Sequence, residues 1–109
     1  MNSGEPPATP GVTVVTATVG RPEVLRAKAT SLALQTLPRD RFEWRVAFDG
    51  VPDDLATRLE ADLRAALPSD LSVAFVRTDG RGPGPARDAA AADARHAVLL
   101  LSDDDCLLD

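Results

Sequence analysis

The chain lacks the features of a disulfide scaffold, a membrane anchor and a nucleic-acid-binding surface. Cys106 is the only cysteine, so no disulfide can form within the chain, and a single thiol fits a reducing compartment. No apolar run approaches the ~20 residues that a membrane helix needs. The first residues have neither the basic start nor the apolar core of a signal peptide. Lysine and arginine number 12 against 17 acidic residues, and the net charge of −5 argues against nucleic acid as a partner. We therefore expect a cytoplasmic protein, with membrane association as an alternative for a longer form.

The sequence contains enough apolar material for one small domain. Its 109 residues are 44% hydrophobic, which excludes a mainly disordered chain. Residues 1–10 are expected to form a flexible tail. The predicted domain occupies residues 11–109 and shows neither an internal repeat nor a break.

Strand-like and helix-like segments alternate along this domain. β-branched and apolar runs predict strands at residues 12–16, 44–48, 71–76 and 97–101. Apolar residues at helical spacing predict helices at residues 22–36, 53–67 and 85–94. Pro22 suits a first helical turn, and Asp53 suits an N-cap. The alternation predicts an α/β fold with a mostly parallel, doubly wound sheet, for which we expect the strand order 3-2-1-4.

Three carboxylates follow the last predicted strand. Asp103, Asp104 and Asp105 come directly after an apolar run, where they would repel one another and resist desolvation. Such a cluster is tolerable in a solvated cleft or around a divalent cation, since Mg²⁺ and Mn²⁺ prefer carboxylate oxygens and substrate phosphates. An acidic, solvated turn is the alternative.

The predicted strand order places several segments at one edge of the sheet. Ligands of open α/β sheets bind at the carboxyl ends of strands, where the strand order reverses. Residues 17–21 and 102–105 would then face one cleft, with Asp49 beside it.

Other notable residues carry weaker signals. Residues 80–85 contain three glycines and two prolines and are interpreted as a flexible connection, with a phosphate cradle as the less favoured alternative. Arg87 could pair with an anion or be an exposed helix charge. His96 is expected to be structural or exposed, Cys106 a small buried residue, and Trp44 part of the core.

Four places in the chain together resemble a known family. They are residues 12–22, Leu34-Gln35-Thr36-Leu37-Pro38, Phe48-Asp49-Gly50, and the pair formed by residues 82–88 with Ser102-Asp103-Asp104-Asp105-Cys106. These segments resemble the opening strand and loop, the end of the first helix, the Asp-Gly turn, and the Gly-Pro-Ala-Arg-Asn and Asp-x-Asp motifs of glycosyltransferase family 2. Val19 stands where the family often has tyrosine, and Asp88 replaces the usual asparagine.

The resemblance implies the GT-A fold and a nucleoside-diphosphate sugar as the bound partner. In that family the loop after the first strand and the aspartate of the Asp-Gly turn hold the nucleotide. This assigns Ala17 and Thr18 to the donor, and Asp49 to a hydrogen bond from the base. By the same resemblance Arg87 lies near the donor.

The resemblance also implies a divalent cation, Mg²⁺ or Mn²⁺. The outer aspartates of the motif face the sugar and the metal, which assigns Asp103 and Asp105 to the metal and Asp103 also to the donor. The resemblance further assigns the middle residue, Asp104, to the donor.

We expect residues 11–109 to be the donor-binding half of a hexosyltransferase-type, inverting enzyme, truncated after the fourth strand. The catalytic base would lie beyond Asp109, so the chain alone would be inactive. The acceptor stays open among saccharide, lipid and protein. The alternatives are a non-catalytic nucleotide-binding or interaction module, a nucleotidyltransferase-like domain, and a regulatory or phosphoryl-transfer domain.

Overall fold

In a computed structural model, which describes residues 11–34, 41–96 and 98–101, strands and helices alternate from the first element to the last. The strands are β1 (Val12–Thr18), β2 (Phe42–Asp49), β3 (Ser72–Thr78) and β4 (Val98–Leu101). The helices are α1 (Pro22–Ala33), α2 (Asp53–Ala66) and α3 (Pro83–Ala91). This alternation confirms the predicted α/β class.

The four strands form one parallel sheet in the order β3-β2-β1-β4. In the observed register, Val14 of β1 lies opposite Trp44 of β2 on one side and opposite Leu100 of β4 on the other. Because all four strands run the same way, their carboxyl ends lie at one edge of the sheet.

The central strand β1 is buried on both faces. Thr13, Val14, Val15 and Thr16 have no exposed surface. The two buried threonines form hydrogen bonds with β2, since the Thr13 hydroxyl donates to Glu43 Oε1 at 2.8 Å and Trp44 Nε1 donates to the Thr16 hydroxyl at 3.0 Å. Both buried hydroxyls therefore have a hydrogen-bond partner. Trp44 is a core residue, as predicted.

Helices cover both faces of the sheet. The larger core lies under α1 and α2, where Leu25, Leu32, Leu59 and Leu63 pack with residues of β1 and β2. The smaller core lies under α3 and consists of Val15, Ala47, Ala86 and Ala90.

The buried faces of α1 and α2 follow the helical spacing of the sequence. On α1 Leu25, Ala29 and Leu32 lie on one face and are all fully buried. On α2 Ala56 lies in the core, whereas Ala66 near the end of the helix is exposed. The stripe that runs from Ala56 through Leu59 and Leu63 keeps the three- and four-residue spacing of one helix face.

Several predicted boundaries differ from the observed ones. The first three strands extend further, because parallel pairing continues to Thr18 opposite Phe48 and to Asp49 opposite Thr78. Asp53 is the first residue of α2 and Pro52 is the N-cap, so the expected role of Asp53 as N-cap was wrong; its carboxylate accepts a hydrogen bond from Arg77 of β3.

The ends of α1 and α3 also differ from the prediction. α1 ends at Ala33, where the Leu34 N–H donates to the Ser31 carbonyl. α3 begins at Pro83, two residues before the predicted start, because proline suits the first turn of a helix, where its missing N–H costs nothing. Among the described residues, none of the helices has the length and apolar character that crossing a membrane requires.

Candidate functional site

A pocket lies at the carboxyl ends of β1 and β2, beside the first turn of α3. Its volume is about 180 Å³. The described residues that line it are Ala17, Thr18, Val19, Arg21, Asp49 and Pro83. The strand order therefore brings together side chains that are more than sixty residues apart in the sequence.

The loop after β1 forms one wall of this pocket. Gly20 has a φ of +91°, and its N–H donates to the Thr18 hydroxyl at 3.1 Å, which turns the chain sharply into α1. A Cβ on Gly20 would lie 3.2 Å from both methyl groups of Val51, so the loop packs closely on the turn before α2. Val19 projects at the pocket with 66% of its surface exposed.

Asp49, at the end of β2, binds the glycine-rich turn after β3. Its Oδ1 accepts hydrogen bonds from the Thr78 hydroxyl at 2.7 Å and from the Gly80 N–H at 2.9 Å. Its Oδ2 accepts one from the Gly82 N–H at 3.1 Å. The interpretation of residues 80–85 as a flexible connection was therefore wrong for its first part, because one carboxylate holds two of its amides.

Glycine is required at this turn for two physical reasons. Gly50, Gly80 and Gly82 all have positive φ values, of +70°, +83° and +102°, which residues with a Cβ rarely adopt. In addition, a Cβ on Gly50 would lie 3.3 Å from the Gly80 Cα. The two turns that follow β2 and β3 thus touch through their backbones.

The hydrogen bonds keep Asp49 ionised. The Thr78 hydroxyl is the main cause that lowers the pKa of Asp49 below 3.8, and burial opposes it. The backbone N–H groups of Gly80, Gly82 and Arg81 lower the pKa further. At neutral pH the pocket therefore contains a carboxylate with a fixed orientation.

The structure places the predicted site residues as follows. Ala17, Thr18 and Asp49 line the pocket together. Arg87 lies in α3, one turn after Pro83, with its Nε atom buried, and is not among the described residues that line the pocket. Asp103, Asp104 and Asp105 lie outside the described residues.

The sequence of residues 13–109 matches the profile described as Glycosyl transferase family 2. The chain belongs to glycosyl transferase family 2. The match spans β1 through the three aspartates and therefore includes every element that surrounds the pocket. No curated protein matches the chain at a significant level.

Solved structures share the fold of this family 2 chain. The mannosyltransferase PcManGT from Pyrobaculum calidifontis, in complex with GDP-Man and Mn²⁺, superposes with a TM-score of 0.75 at 24% identity, over 90% of this chain and 28% of its own. S. aureus TarS 1-349 in complex with UDP superposes with a TM-score of 0.68 at 27% identity, over 87% of this chain and 27% of its own. The complex of TarS 1-349 with UDP-GlcNAc covers 26% of its own chain. The present chain thus spans about a quarter of the length of these proteins.

The predicted metal ligands lie outside the described residues of this family 2 chain. Within residues 11–34, 41–96 and 98–101, no group of three His, Cys, Asp or Glu side chains could hold a metal ion. The predicted ligands Asp103 and Asp105 follow Leu101, the last residue of a strand that pairs with β1.

Sequence reasoning missed Thr78 and Pro83. Pro83 was assigned to a loop, yet it opens α3 and lines the pocket. The proximity of Thr78 to the site follows from the strand register, which places Thr78 opposite Asp49. A threonine that ends one strand beside an aspartate that ends the next is the signal that could have identified the pair.

A second, open groove lies next to the pocket, on the β3 side. It is lined by Val51, Asp53, Arg77, Thr78, Asp79, Arg81 and Pro85. Its charges pair among themselves, since Arg77 contacts Asp53 at 3.3 Å and Arg81 contacts Asp79 at 3.1 Å. The groove therefore lacks the excess of one charge that would favour a charged ligand.

Proposed function

We propose that residues 11–109 bind a nucleoside-diphosphate sugar and form the donor-binding part of a glycosyltransferase. The observation that carries this proposal is the pocket formed by the ends of β1 and β2 and the start of α3, in a chain of family 2. The mannosyltransferase neighbour holds GDP-Man, and TarS holds UDP or UDP-GlcNAc, which supports a donor of the same chemical class here.

The charges around the pocket suggest how such a donor would lie. The ionised carboxylate of Asp49 repels phosphate and attracts the N–H donors of a base. Arg21 brings a positive charge to the same pocket, and a guanidinium suits a diphosphate. We therefore propose that the base lies toward Asp49 with Ala17 and Thr18 beside it, and that the diphosphate lies toward Arg21, with Arg87 near the donor.

We propose that Asp103 and Asp105 hold Mg²⁺ or Mn²⁺ and that Asp103 and Asp104 contact the donor. The presence of Mn²⁺ in the mannosyltransferase neighbour supports this assignment. A divalent cation bound there would neutralise the charge that develops on the leaving diphosphate. The chain's own part would be to supply carboxylate oxygens from the residues that follow β4, the strand that pairs with β1.

The transfer step would need groups that we do not assign to this chain. We propose that the reaction inverts configuration and that residues 11–109 do not supply its general base. The chain spans about a quarter of the length of its solved neighbours. The acceptor is proposed to be a hydroxyl of a saccharide, a lipid or a protein. The 109 residues alone are expected to bind the donor without transferring the sugar.

Calorimetric titration of the chain with UDP and with GDP, with and without Mn²⁺, tests this function. We expect one of the two nucleotides to bind, and Mn²⁺ to strengthen the binding, because these cations keep several waters and depend on substrate phosphates. A chain that binds neither nucleotide in the presence of Mn²⁺ would contradict the proposal. Uridine and guanosine, which lack the diphosphate, are the matched controls and should bind more weakly.

A separate prediction concerns the aspartates that follow β4. Asp105→Ala is expected to abolish the strengthening by Mn²⁺, whereas Asp104→Ala should reduce it less, because residues two apart on an extended segment point the same way. Calorimetry with the nucleotide and Mn²⁺ together measures both variants. Equal losses for the two variants, or a larger loss for Asp104→Ala, would remove the Asp-x-Asp assignment.

A further inference from the structure

Among the described residues, Thr78 reaches the candidate donor pocket through Asp49. It is the last residue of β3 and lies opposite Asp49 in the parallel register. Its side chain lines the neighbouring groove rather than the pocket itself. Yet its hydroxyl lies 2.7 Å from Asp49 Oδ1, closer than the Gly80 N–H at 2.9 Å or the Gly82 N–H at 3.1 Å lies to this carboxylate.

The geometry of these hydrogen bonds connects Thr78 to the wall of the pocket. An ionised carboxylate only accepts hydrogen bonds, so the Thr78 hydroxyl must donate. The hydrogen bond from Thr78, together with the position of Asp49 at the end of β2, fixes the plane of the carboxylate. In that plane Oδ1 accepts from the Gly80 N–H and Oδ2 accepts from the Gly82 N–H. Gly82 is the N-cap of α3, and Pro83, the next residue, lines the pocket.

We propose that Thr78 is a positioning residue for donor binding. It orients Asp49 so that this carboxylate holds the glycine turn, and the turn holds Pro83 and the start of α3 against the nucleotide. The inference rests on the proposed function, because it assigns Thr78 a role toward the donor of that same pocket. Nothing in the sequence pattern or in the resemblance to family 2 assigned Thr78 a role.

The neighbouring charged groups do not replace this hydrogen bond. Asp79 and Arg81 flank the turn and pair with each other at 3.1 Å, largely exposed to solvent. Arg21 faces Asp49 from the loop after β1, and Asp53 at the start of α2 pairs with Arg77. The groups that lower the pKa of Asp49 are hydrogen-bond donors, of which the Thr78 hydroxyl is the strongest.

The test compares Thr78→Val, which replaces the hydroxyl by a methyl group, with Thr78→Ser, which keeps the hydroxyl. UDP and GDP are titrated into the chain with Mg²⁺, and the pKa of Asp49 is followed through its carboxyl carbon by NMR. Thr78→Val should weaken nucleotide binding about tenfold, the order expected when a charged group loses a hydrogen bond, and should raise the pKa of Asp49. Thr78→Ser should leave both quantities close to those of the wild type.

Thr57→Val is the matched control. The Thr57 hydroxyl accepts a hydrogen bond from Arg77 at 3.0 Å on the far side of β3, so this variant makes the same chemical change without touching Asp49. It should bind the nucleotide as the wild type does. If Thr78→Val does not fold, Thr78→Ala removes the same hydroxyl without adding a methyl group beside Asp49.

The outcomes separate two kinds of failure. If the wild type binds a nucleotide and Thr78→Val binds it equally well, the positioning role of Thr78 is overturned while the proposed function stands. Equal weakening in Thr78→Val and Thr57→Val would also overturn it, because the effect would then follow from general stability. If the wild type binds neither UDP nor GDP, the proposed function fails and this inference fails with it.

Discussion

Asp49 is the residue on which the geometry of the pocket depends most. Three hydrogen bonds reach its carboxylate from β3 and from the turn that follows β3. The resemblance assigned Asp49 to the base of a nucleotide, whereas the structure shows that it also organises the glycine turn.

The pH dependence of stability should show the contribution of Asp49. Its pKa is lowered in the folded state, so its contribution is fully present above the ordinary value of 3.8 and is lost as the pH falls through the lowered pKa. The difference in free energy of unfolding between the wild type and Asp49→Asn should therefore be constant from pH 7 to about pH 4 and shrink below that. Chemical denaturation over this pH range measures it. A difference that already disappears near pH 6 would mean that another group is responsible.

Two glycines at this edge of the sheet should differ in how much alanine destabilises the chain. Gly50→Ala is expected to destabilise the chain by about 1–2 kcal/mol, because φ is +70° and the new Cβ would meet the Gly80 backbone. Gly84→Ala, within α3, should destabilise the chain less, because a Cβ there meets no atom except those of its chain neighbours and is opposed only by crowding against the Pro85 ring. Urea denaturation of the two variants makes the comparison. A Gly50→Ala variant as stable as the wild type would contradict the close approach of the two turns.

At the scale of elements, two buried charged residues of β2 fix α3 and the segment before β4. Arg45 Nε donates to the Ala90 carbonyl near the end of α3. Glu43 Oε1 accepts hydrogen bonds from the Thr13 hydroxyl and from the Arg95 N–H, in the segment that leads to β4. Both side chains are buried and paired, so losing either partner should cost more than losing a surface contact.

Small side chains at the contact between α3 and the sheet determine how closely this helix approaches the sheet. Ala90→Leu should destabilise the chain by about 1–3 kcal/mol, because Ala90 is fully buried against β1 and β2 and extra methylenes overpack such a site. Ala61→Leu, at an exposed position of α2, makes the same change as a control and should shift stability by no more than about 0.5 kcal/mol. Thermal or urea denaturation measures both variants. Similar values for the two would mean that α3 does not pack as described.

The element types could be predicted from the sequence, and their exact ends could not. Each strand had a β-branched or apolar run, and the stripe from Leu25 to Leu32 marked the buried face of α1. The extension of β1 to Thr18 depends on pairing with Phe48 of β2, which no local pattern contains. The hydrogen bonds of Asp49 to the glycine turn depend likewise on the register of β2 against β3.

At the scale of the whole molecule, the parallel sheet collects the site at one edge. The loop after β1, Asp49 at the end of β2, and the start of α3 meet there, and β4 ends beside β1. The net charge of −5 repels an anionic donor over long distances, so we expect binding to depend on local positive groups and on a divalent cation. At the opposite edge of the sheet, His96 packs closely against Gly11.

The most direct test of donor binding is a map of the amide signals that move when UDP or GDP is added with Mg²⁺. We expect the largest NMR shifts at residues 17–21, at Asp49 and at residues 80–87, around the pocket. Amides at the opposite edge, such as those of Gly11, Ser72 and His96, should stay unchanged and serve as the internal control. Shifts centred on that opposite edge, or no shifts with either nucleotide, would contradict the assignment of this pocket to a nucleotide-sugar donor.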